Sequence, residues 1–407
     1  MPTHTAQATK AVDLPLDHDR KGLPAWAYFN TEMLEMEKDL LFRSHWQLVC
    51  HVNDLPETGD FVTLDCVGER ALVIRGKDGV LRGFHNLCRH RGSRVVAADQ
   101  GNCKGAIVCP FHGWVYNLDG TLRGAAQPDK LPDLDSVAFG LKAIETDIWR
   151  GFVFVRFRPG PQPKMSQVLA RFDDEIDQYD LEGLMPSGDG FYAEVAEVNW
   201  KCIRDVDNEG YHVPMAHPGL QDLFGSNYYD EDFEDGASRS YSEFRESNHR
   251  LWSVRAYTSI LQAPPGLDES HAKAWLYIGL FPNCVLGIYP DCVKFYQEFP
   301  VEYGKTMQRG TTYRLGTEDR RTRLSRYLSS RIDRLTSEED EELVRWSWEA
   351  AFSSGYDGVI LSDLENTVRS YHDCLRAHFP VLNEDEPPKG QVAARNAELL
   401  SRQVAAE

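Results

Sequence analysis

Residues 86–120 read NLCRHRGSRVVAADQGNCKGAIVCPFHGWVYNLDG, and two short pairs inside them restrict the fold most: Cys88-x-His90 and Cys109-x-x-His112. Two ligand-bearing residues so close in sequence reach one atom only from a tight loop, and two such loops must then meet. A zinc finger would open with two cysteines two to four residues apart and place its histidines on a helix. Here each pair mixes a thiol with an imidazole and is flanked by short β-rich runs. That suits a two-iron cluster, with two thiolates on one iron and two imidazoles on the other. Neutral imidazoles make the ligand set less negative and raise the reduction potential, so such a cluster hands on one electron at a time. Gly92, Pro110 and Gly113 fit tight loops whose N–H groups can bond to cluster sulfurs. Cys103 lies outside both pairs and reads as a bystander. The plainer alternative is a buried structural Cys/His set.

A cluster of this kind stores electrons without acting on a substrate, so a second centre is expected. Asp207 to Leu220 read DNEGYHVPMAHPGL. His212 and His217 are five apart, which on a continuous helix turns the second about 140° from the first. Pro214 between them predicts a helix weakened after Tyr211, so that the backbone bends and both rings converge. On the helix before that break, Asp205, Glu209 and His212 fall at i, i+4 and i+7 and share a face. A carboxylate on the face of a ligating histidine accepts the ring's other N–H and fixes its tautomer.

The remaining chain organises around these two stretches. Asn30–Val49 carry helical apolar spacing, with Thr31 as the expected cap. Short β-rich runs then continue to Phe157, with hairpin turns at Asp78-Gly79 and Asp119-Gly120. RPGPQPK, residues 158–164, reads as a linker. FYAEVAEVNWKC reads as a strand, AWLYIGLFPNCVLGIYP as two core strands, and the aromatic stretch from Trp252 to Tyr313 as an antiparallel sheet. The last third is helical, and EEDEEL within it reads as a solvated acidic first turn. The net charge of −19 argues against nucleic-acid and anionic-membrane partners. The polar start of the chain, an expected surface arm over residues 1–27, has no apolar core of a secretory leader, so the expected location is cytoplasmic. Nine cysteines at irregular spacing do not form a disulfide framework.

The Cys/His segment resembles the Rieske [2Fe–2S] motif, and the layout from about residue 30 to about residue 380 resembles the catalytic α subunit of Rieske non-haem iron oxygenases. The resemblance implies an α+β chain: an N-terminal arm and helix (1–44), an all-β Rieske domain (45–157), and a catalytic mononuclear-iron domain with a helix-flanked antiparallel sheet (158–407). It implies a cluster on Cys88, His90, Cys109 and His112, and Fe(II) on His212, His217 and a carboxylate from a late helix. Asp357 best matches the family register for that carboxylate, with Asp363 as the rival. By the same resemblance Glu209 links His212 to His112 of the partner subunit in a head-to-tail homotrimer. Electrons come from a flavin or ferredoxin reductase, and O2 is used for monooxygenation, dihydroxylation or oxidative demethylation. Glu at position 209, where many aromatic-ring members have Asp, leans towards betaine- or carnitine-type substrates. An aromatic carboxylate is the alternative substrate, and a non-catalytic electron carrier the alternative of another kind. A carrier would need only the β domain, which leaves residues 158–407 without a task.

Overall fold

Hairpin chemistry builds the first half of the molecule. In this computed structural model, which describes residues 20–131, 134–246, 248–315, 318–356 and 358–404, the strands are β1 (Gln47–His51), β2 (Asp60–Cys66), β3 (Glu69–Arg75), β4 (Leu81–His85), β5 (Gln100–Asn102), β9 (Ala143–Trp149) and β10 (Phe152–Arg156), after β6 (Ile107–Val108), β7 (Val115–Tyr116) and β8 (Leu122–Gly124). Seven form one sheet in the order β1-β10-β9-β4-β3-β2-β5, and β6-β7-β8 form a small second sheet. Asp78-Gly79 and Asp119-Gly120 turn the chain as expected, each glycine at positive φ (79° and 88°) where a Cβ would be strained.

The second half carries β11 (Met185–Pro186), β12 (Tyr192–Ala196), β13 (Tyr228–Glu234), β14 (Ala237–Glu243), β15 (Ala274–Leu280), β16 (Cys284–Ile288), β17 (Cys292–Glu302) and β18 (Lys305–Arg314). They form one antiparallel sheet, β11-β18-β17-β16-β15-β14-β13, with β12 also on β18. AWLYIGL and CVLGI are therefore its central strands, as their apolarity requires. Alternation sorts the side chains onto two faces. Leu276, Ile278, Leu286 and Phe295 join a core that includes Leu48, Phe152 and Phe154 of the first sheet. Trp275, Tyr289 and Cys292 face the other way, into a core with Val213, Leu223 and Leu328. Polar links also tie β1 to this sheet: Gln297 donates to Leu48 O at 2.8 Å and Arg309 to Val49 O at 2.8 Å.

The helices that matter below are α1 (Thr31–Glu37), α2 (Trp200–Asp207), α3 (Val213–Ala216), α4 (Pro218–Phe224), α5 (Trp252–Ile260), α6 (Arg320–Ala350) and α7 (Asn366–His378). Three expectations shift. Asn30, not Thr31, caps α1, its Oδ1 accepting from Met33 N at 2.9 Å. NWKC begins a helix rather than ending a strand, because Asn199 Oδ1 accepts from Lys201 N and caps α2. Trp252–Ile260 is helical, with only Ser253, Val254 and Tyr257 buried, a helical spacing that its aromatic content masked. Of the expected N-terminal arm, residues 1–19 lie outside the described residues. Among the described residues no helix is long and apolar enough to cross a membrane.

Glu37 fastens α1 to the catalytic half. Its carboxylate is fully buried and accepts from Trp200 Nε1 at 2.8 Å and Lys201 Nζ at 2.6 Å. Removing one partner of such a pair strands the other charge without water, at a cost of about 3–5 kcal/mol. Glu37→Ala is expected to lose about that much in chemical denaturation. A loss below about 1 kcal/mol would mean that Lys201 finds another partner.

Candidate functional site

Each Cys/His pair sits in a loop that folds back on itself. After the first pair, Gly92 N donates to Cys88 O at 2.9 Å; after the second, Gly113 N donates to Cys109 O at 3.0 Å. Both glycines have positive φ (72° and 65°), and a Cβ at either would stand in open space, so backbone conformation alone calls for glycine there. The loops bury both thiols and turn both imidazoles outward, with His90 exposed. Burial, the largest influence, pushes the Cys88 thiol up, and the neighbouring Cys109 thiol adds to it. The rings of His90 and His112 meet edge-on at 4.6 Å, and His90 stacks on Trp114 at 5.2 Å. Thiol beside thiol inside and imidazole beside imidazole at the surface is the division a two-iron cluster needs. Tyr116 went unnoticed in the sequence. Its hydroxyl accepts from Arg89 N at 2.9 Å and lies 3.2 Å from Cys88 Sγ, so its own proton is free to point at the sulfur. Such a bond lowers electron density on a cluster sulfur. Cys103 packs at the edge of the same core, and burial pushes its thiol up to about 11.

The second centre is made by short helices. Chain 208–212 is not helical, and α3 is a single turn with His212 at its N-cap and His217 at its C-cap. Pro214 therefore does not break a longer helix. It sits in the first turn of α3, where a missing N–H costs nothing. Pro218 then starts α4 in the same way. Two ring-bearing caps at the two ends of one turn bring His212 Nε2 and His217 Nε2 to 3.0 Å.

The third member comes from α6. Asp340 Oδ1 lies 2.9 Å from His217 Nε2 and 3.6 Å from His212 Nε2. Among the described residues, His212, His217 and Asp340 are the one group of three able to hold a metal ion. The EEDEEL run is thus no solvated first turn: α6 begins at Arg320, and Asp340 is deep within it. Asp340 follows Leu328, Ile332 and Thr336 and precedes Val344 and Trp348 at steps of four. A carboxylate in a step-of-four row whose other members, Thr336 apart, are apolar and buried was the available signal. Asp357, expected as this carboxylate, lies outside the described residues. Asp363, its rival, ion-pairs with Arg20 at 2.9 Å.

Carboxylates fix both tautomers. His212 Nδ1 is 2.5 Å from Glu209 Oε1, and His217 Nδ1 is 2.9 Å from Glu339 Oε2. An ionised carboxylate only accepts, so each Nδ1 carries the hydrogen and each Nε2 presents a lone pair. Two imidazole lone pairs and Asp340 Oδ1, a buried oxygen without a hydrogen-bond partner, then converge on one point. Such a set calls for a cation, and two imidazoles with one carboxylate suit Fe(II) with open positions. Without a metal the demand shows in the protonation. Burial opposes charge on His212, but Asp340 and Glu209 outweigh it and push the imidazole up to about 10. Burial would likewise raise Asp340, but the two histidines hold it below the ordinary carboxylate range.

Asp205 does not join this group, which corrects the shared-face expectation. Helix α2 ends at Asp207, so the i, i+4, i+7 relation breaks before Glu209. The Asp205 carboxylate accepts instead from Tyr28 Oη at 2.5 Å and bonds His372 Nε2 at 2.8 Å, tying α1's flank to α7.

Comparison with known proteins agrees with this geometry. Residues 45–136 match the model of the Rieske [2Fe–2S] domain, and residues 176–380 match that of the ring hydroxylating alpha subunit catalytic domain. The chain belongs to the Rieske oxygenase alpha-subunit family; it carries a [2Fe–2S] cluster and a mononuclear iron, and it is an oxygenase component that draws electrons from a reductase. It is 27% identical to the carnitine monooxygenase oxygenase subunit of Escherichia coli K12, over 88% of this chain and 91% of that one. It is 33% identical to the glycine betaine monooxygenase oxygenase subunit of Pseudomonas aeruginosa PAO1, over 49% of this chain and 45% of that one. In fold it is similar to the quaternary ammonium Rieske monooxygenase CntA (TM-score 0.74, 24% identity, 88% and 95% of the two chains) and to naphthalene 1,2-dioxygenase from Rhodococcus (TM-score 0.69, 19% identity, 87% and 92%).

A proton on His212 competes with the metal. Because the folded-state value is raised, the stability that this proton lends the iron-free protein is full below about pH 6.5 and lost as pH rises through about 10. Fe(II) binding to iron-free protein should therefore release a proton, with affinity rising about tenfold per pH unit between about pH 7 and 9. Calorimetric titration in buffers of different ionisation enthalpy reads this directly. A pH-independent affinity would rule out competition at His212.

Proposed function

We propose that this oxygenase acts on a small quaternary ammonium or N-methyl compound of the betaine or carnitine type, hydroxylating it or removing a methyl group oxidatively. The observation that carries the reading is the aromatic sheet face that packs against α3, α4 and α6, the helices at whose ends and middle His212, His217 and Asp340 sit. On that face β15 and β17 present Tyr277 and Tyr296, both half-buried, beside Trp275 and Tyr289, which are sealed in the core. Aromatic faces attract cations, and one ring here already holds one: Lys294 Nζ lies 4.2 Å from the centre of Tyr289. The carnitine and glycine betaine monooxygenases among its relatives support the same substrate class.

In this reading Cys88 and Cys109 hold the inner iron of the cluster, His90 and His112 the outer one, and His212, His217 and Asp340 the mononuclear iron. When bound, the cluster supplies electrons one at a time and the iron supplies the place where O2 is activated. The chain's own residues do the rest. Tyr116 directs its proton at Cys88. Glu209 and Glu339 keep Nε2 of both histidines turned to the metal. Among the described residues the hydrogen bonds of Glu209 run to His212 alone, which leaves room for His112 of the partner subunit at its other side. Exposed apolar groups at both ends support a head-to-tail homotrimer: Val108 and Phe111 at the cluster loops, Tyr211 and Met215 at the iron site. We divide the chain at 44/45, ahead of β1, and at 157/158, after β10, which ends the first sheet.

Three variants test the iron set. His212→Ala, His217→Ala and Asp340→Ala are each expected to lose mononuclear iron and turnover but keep the red-brown colour of the cluster, whereas Asp357→Ala keeps both metals. Loss of colour with any of the first three would place that residue at the cluster. Glu209→Gln should keep both metals and slow coupled turnover by about 10–100-fold. Normal turnover would make Glu209 structural only. For substrate, O2 uptake with NADH and a surrogate reductase should be stimulated by glycine betaine or L-carnitine. Stimulation by aromatic acids alone would overturn the ammonium reading.

A further inference from the structure

Electrons reach the cluster from another protein, and one stretch of surface near the iron site differs in charge from the rest of the chain. Acidic residues outnumber basic ones by 63 to 44, yet residues 248–261 and 320–332 together hold seven arginines and no acid. They form α5 with its flanks and the first half of α6. The two helices pack antiparallel. Arg321 Nε donates to Ile260 O at 2.6 Å near one end, and Tyr257 and Ser325 bond the same buried Asp291 carboxylate in the middle. At the other end the Arg331 guanidinium lies 5.4 Å from the centre of the Trp252 ring. The outer side of the pair exposes Trp252 (57%), Tyr327 (59%) and Leu324 among Arg255, Arg320 and Arg323.

The plain reading is a solvated helical face. Further along, α6 has such a face: Arg334 pairs with Glu338 and Arg345 with Glu349. Among the described residues Arg255, Arg320 and Arg331 form no ion pair, and the buried Nε of Arg331 has no hydrogen-bond partner. Exposed arginine beside tryptophan and tyrosine is the composition of a protein-binding hot spot. A hollow lined by Asn248, His249, Trp252 and Arg255 indents it. Its position points to the kind of partner. Helix α4, which follows His217, packs on α6 at this level: a Cβ on Gly219 would stand 3.6 Å from Ile332. Arg331 precedes Asp340 by nine residues, about 13 Å along the helix. In the trimer reading above, the cluster of the partner subunit meets this iron site, so a donor seated on α5 and α6 stands near that cluster. The cluster loops carry Arg89 and Arg91, of the same sign as the patch, and are not drawn onto it.

We propose that the α5–α6 surface is the docking face for the electron donor, an iron–sulfur domain with an acidic rim, which the rest of this acidic chain repels and this basic face attracts. This rests on the trimer reading above. The probe is a reduced plant-type [2Fe–2S] ferredoxin, an acidic carrier, mixed with the full metal-loaded enzyme while the bleaching of the cluster colour is followed. Wild type is expected to be reduced at a rate that falls as salt is raised. Arg255→Glu/Arg320→Glu/Arg323→Glu is expected to lower the second-order rate about 10–100-fold at low salt and to flatten its salt dependence. Its reduction by dithionite, its iron content and its sedimentation stay those of wild type. The corresponding triple glutamine variant gives a smaller fall in the same direction should charge reversal not yield folded protein. A variant reduced by ferredoxin as fast as wild type overturns the proposal, as does a wild type that ferredoxin fails to reduce or reduces independently of salt. Loss of the trimer in the variant makes the patch an interface between copies instead. Binding of wild type to phosphatidylglycerol vesicles, lost in a variant whose reduction is unchanged, gives the patch to a membrane. A wild type that sediments as a monomer removes the trimer reading and this proposal together.

Discussion

Two hydrogen bonds govern the catalytic half: His212 Nδ1 to Glu209 and His217 Nδ1 to Glu339. By taking the Nδ1 hydrogens they leave the two Nε2 lone pairs facing each other at 3.0 Å, with Asp340 beside them. That arrangement is unfavourable unless a proton or a metal ion fills it. The surrounding scaffold can be understood as whatever is needed to hold this pair of rings and this carboxylate together against that repulsion.

Helix α6 supplies much of that force. Its Leu328 and Ile332 pack into the core beneath α3 to α5, while Val344 and Trp348 pack into the core shared with α1 and the first sheet. Asp340 and Glu339 lie between these two anchors, so burial of apolar surface at both ends places two acids where neither would settle alone. The catalytic sheet divides its labour in a similar way. One face is bolted to the cluster-bearing sheet through Leu48, Phe152 and Phe154, and the other packs against α3 to α6, the helices that carry the iron-site residues. Electron delivery and substrate chemistry are thereby attached to opposite faces of one sheet.

What was legible beforehand was local. The Cys/His loops and the His212/His217 pair could be read because their members lie within a few residues and their spacing carries the geometry. Even there the mechanism differed: Pro214 opens a one-turn helix instead of bending a longer one, and Asp205 left the site because α2 stopped at Asp207. Asp340 was missed because its neighbours in sequence, Glu338, Glu339, Glu341 and Glu342, look like a solvated face. Only the step-of-four row from Leu328 to Trp348 hints that Asp340, of the five acids, turns inward.

By itself the sequence determined the two kinds of centre, since thiol and imidazole ligands at short spacing act through the backbone that joins them. It also determined the central strands of the catalytic sheet, whose apolar runs have no other place to go. Tertiary structure alone decided which distant carboxylate meets the histidines. That choice bridges more than a hundred residues of chain, from His217 to Asp340, and it is made by the packing of α6 rather than by any preference of the acid itself.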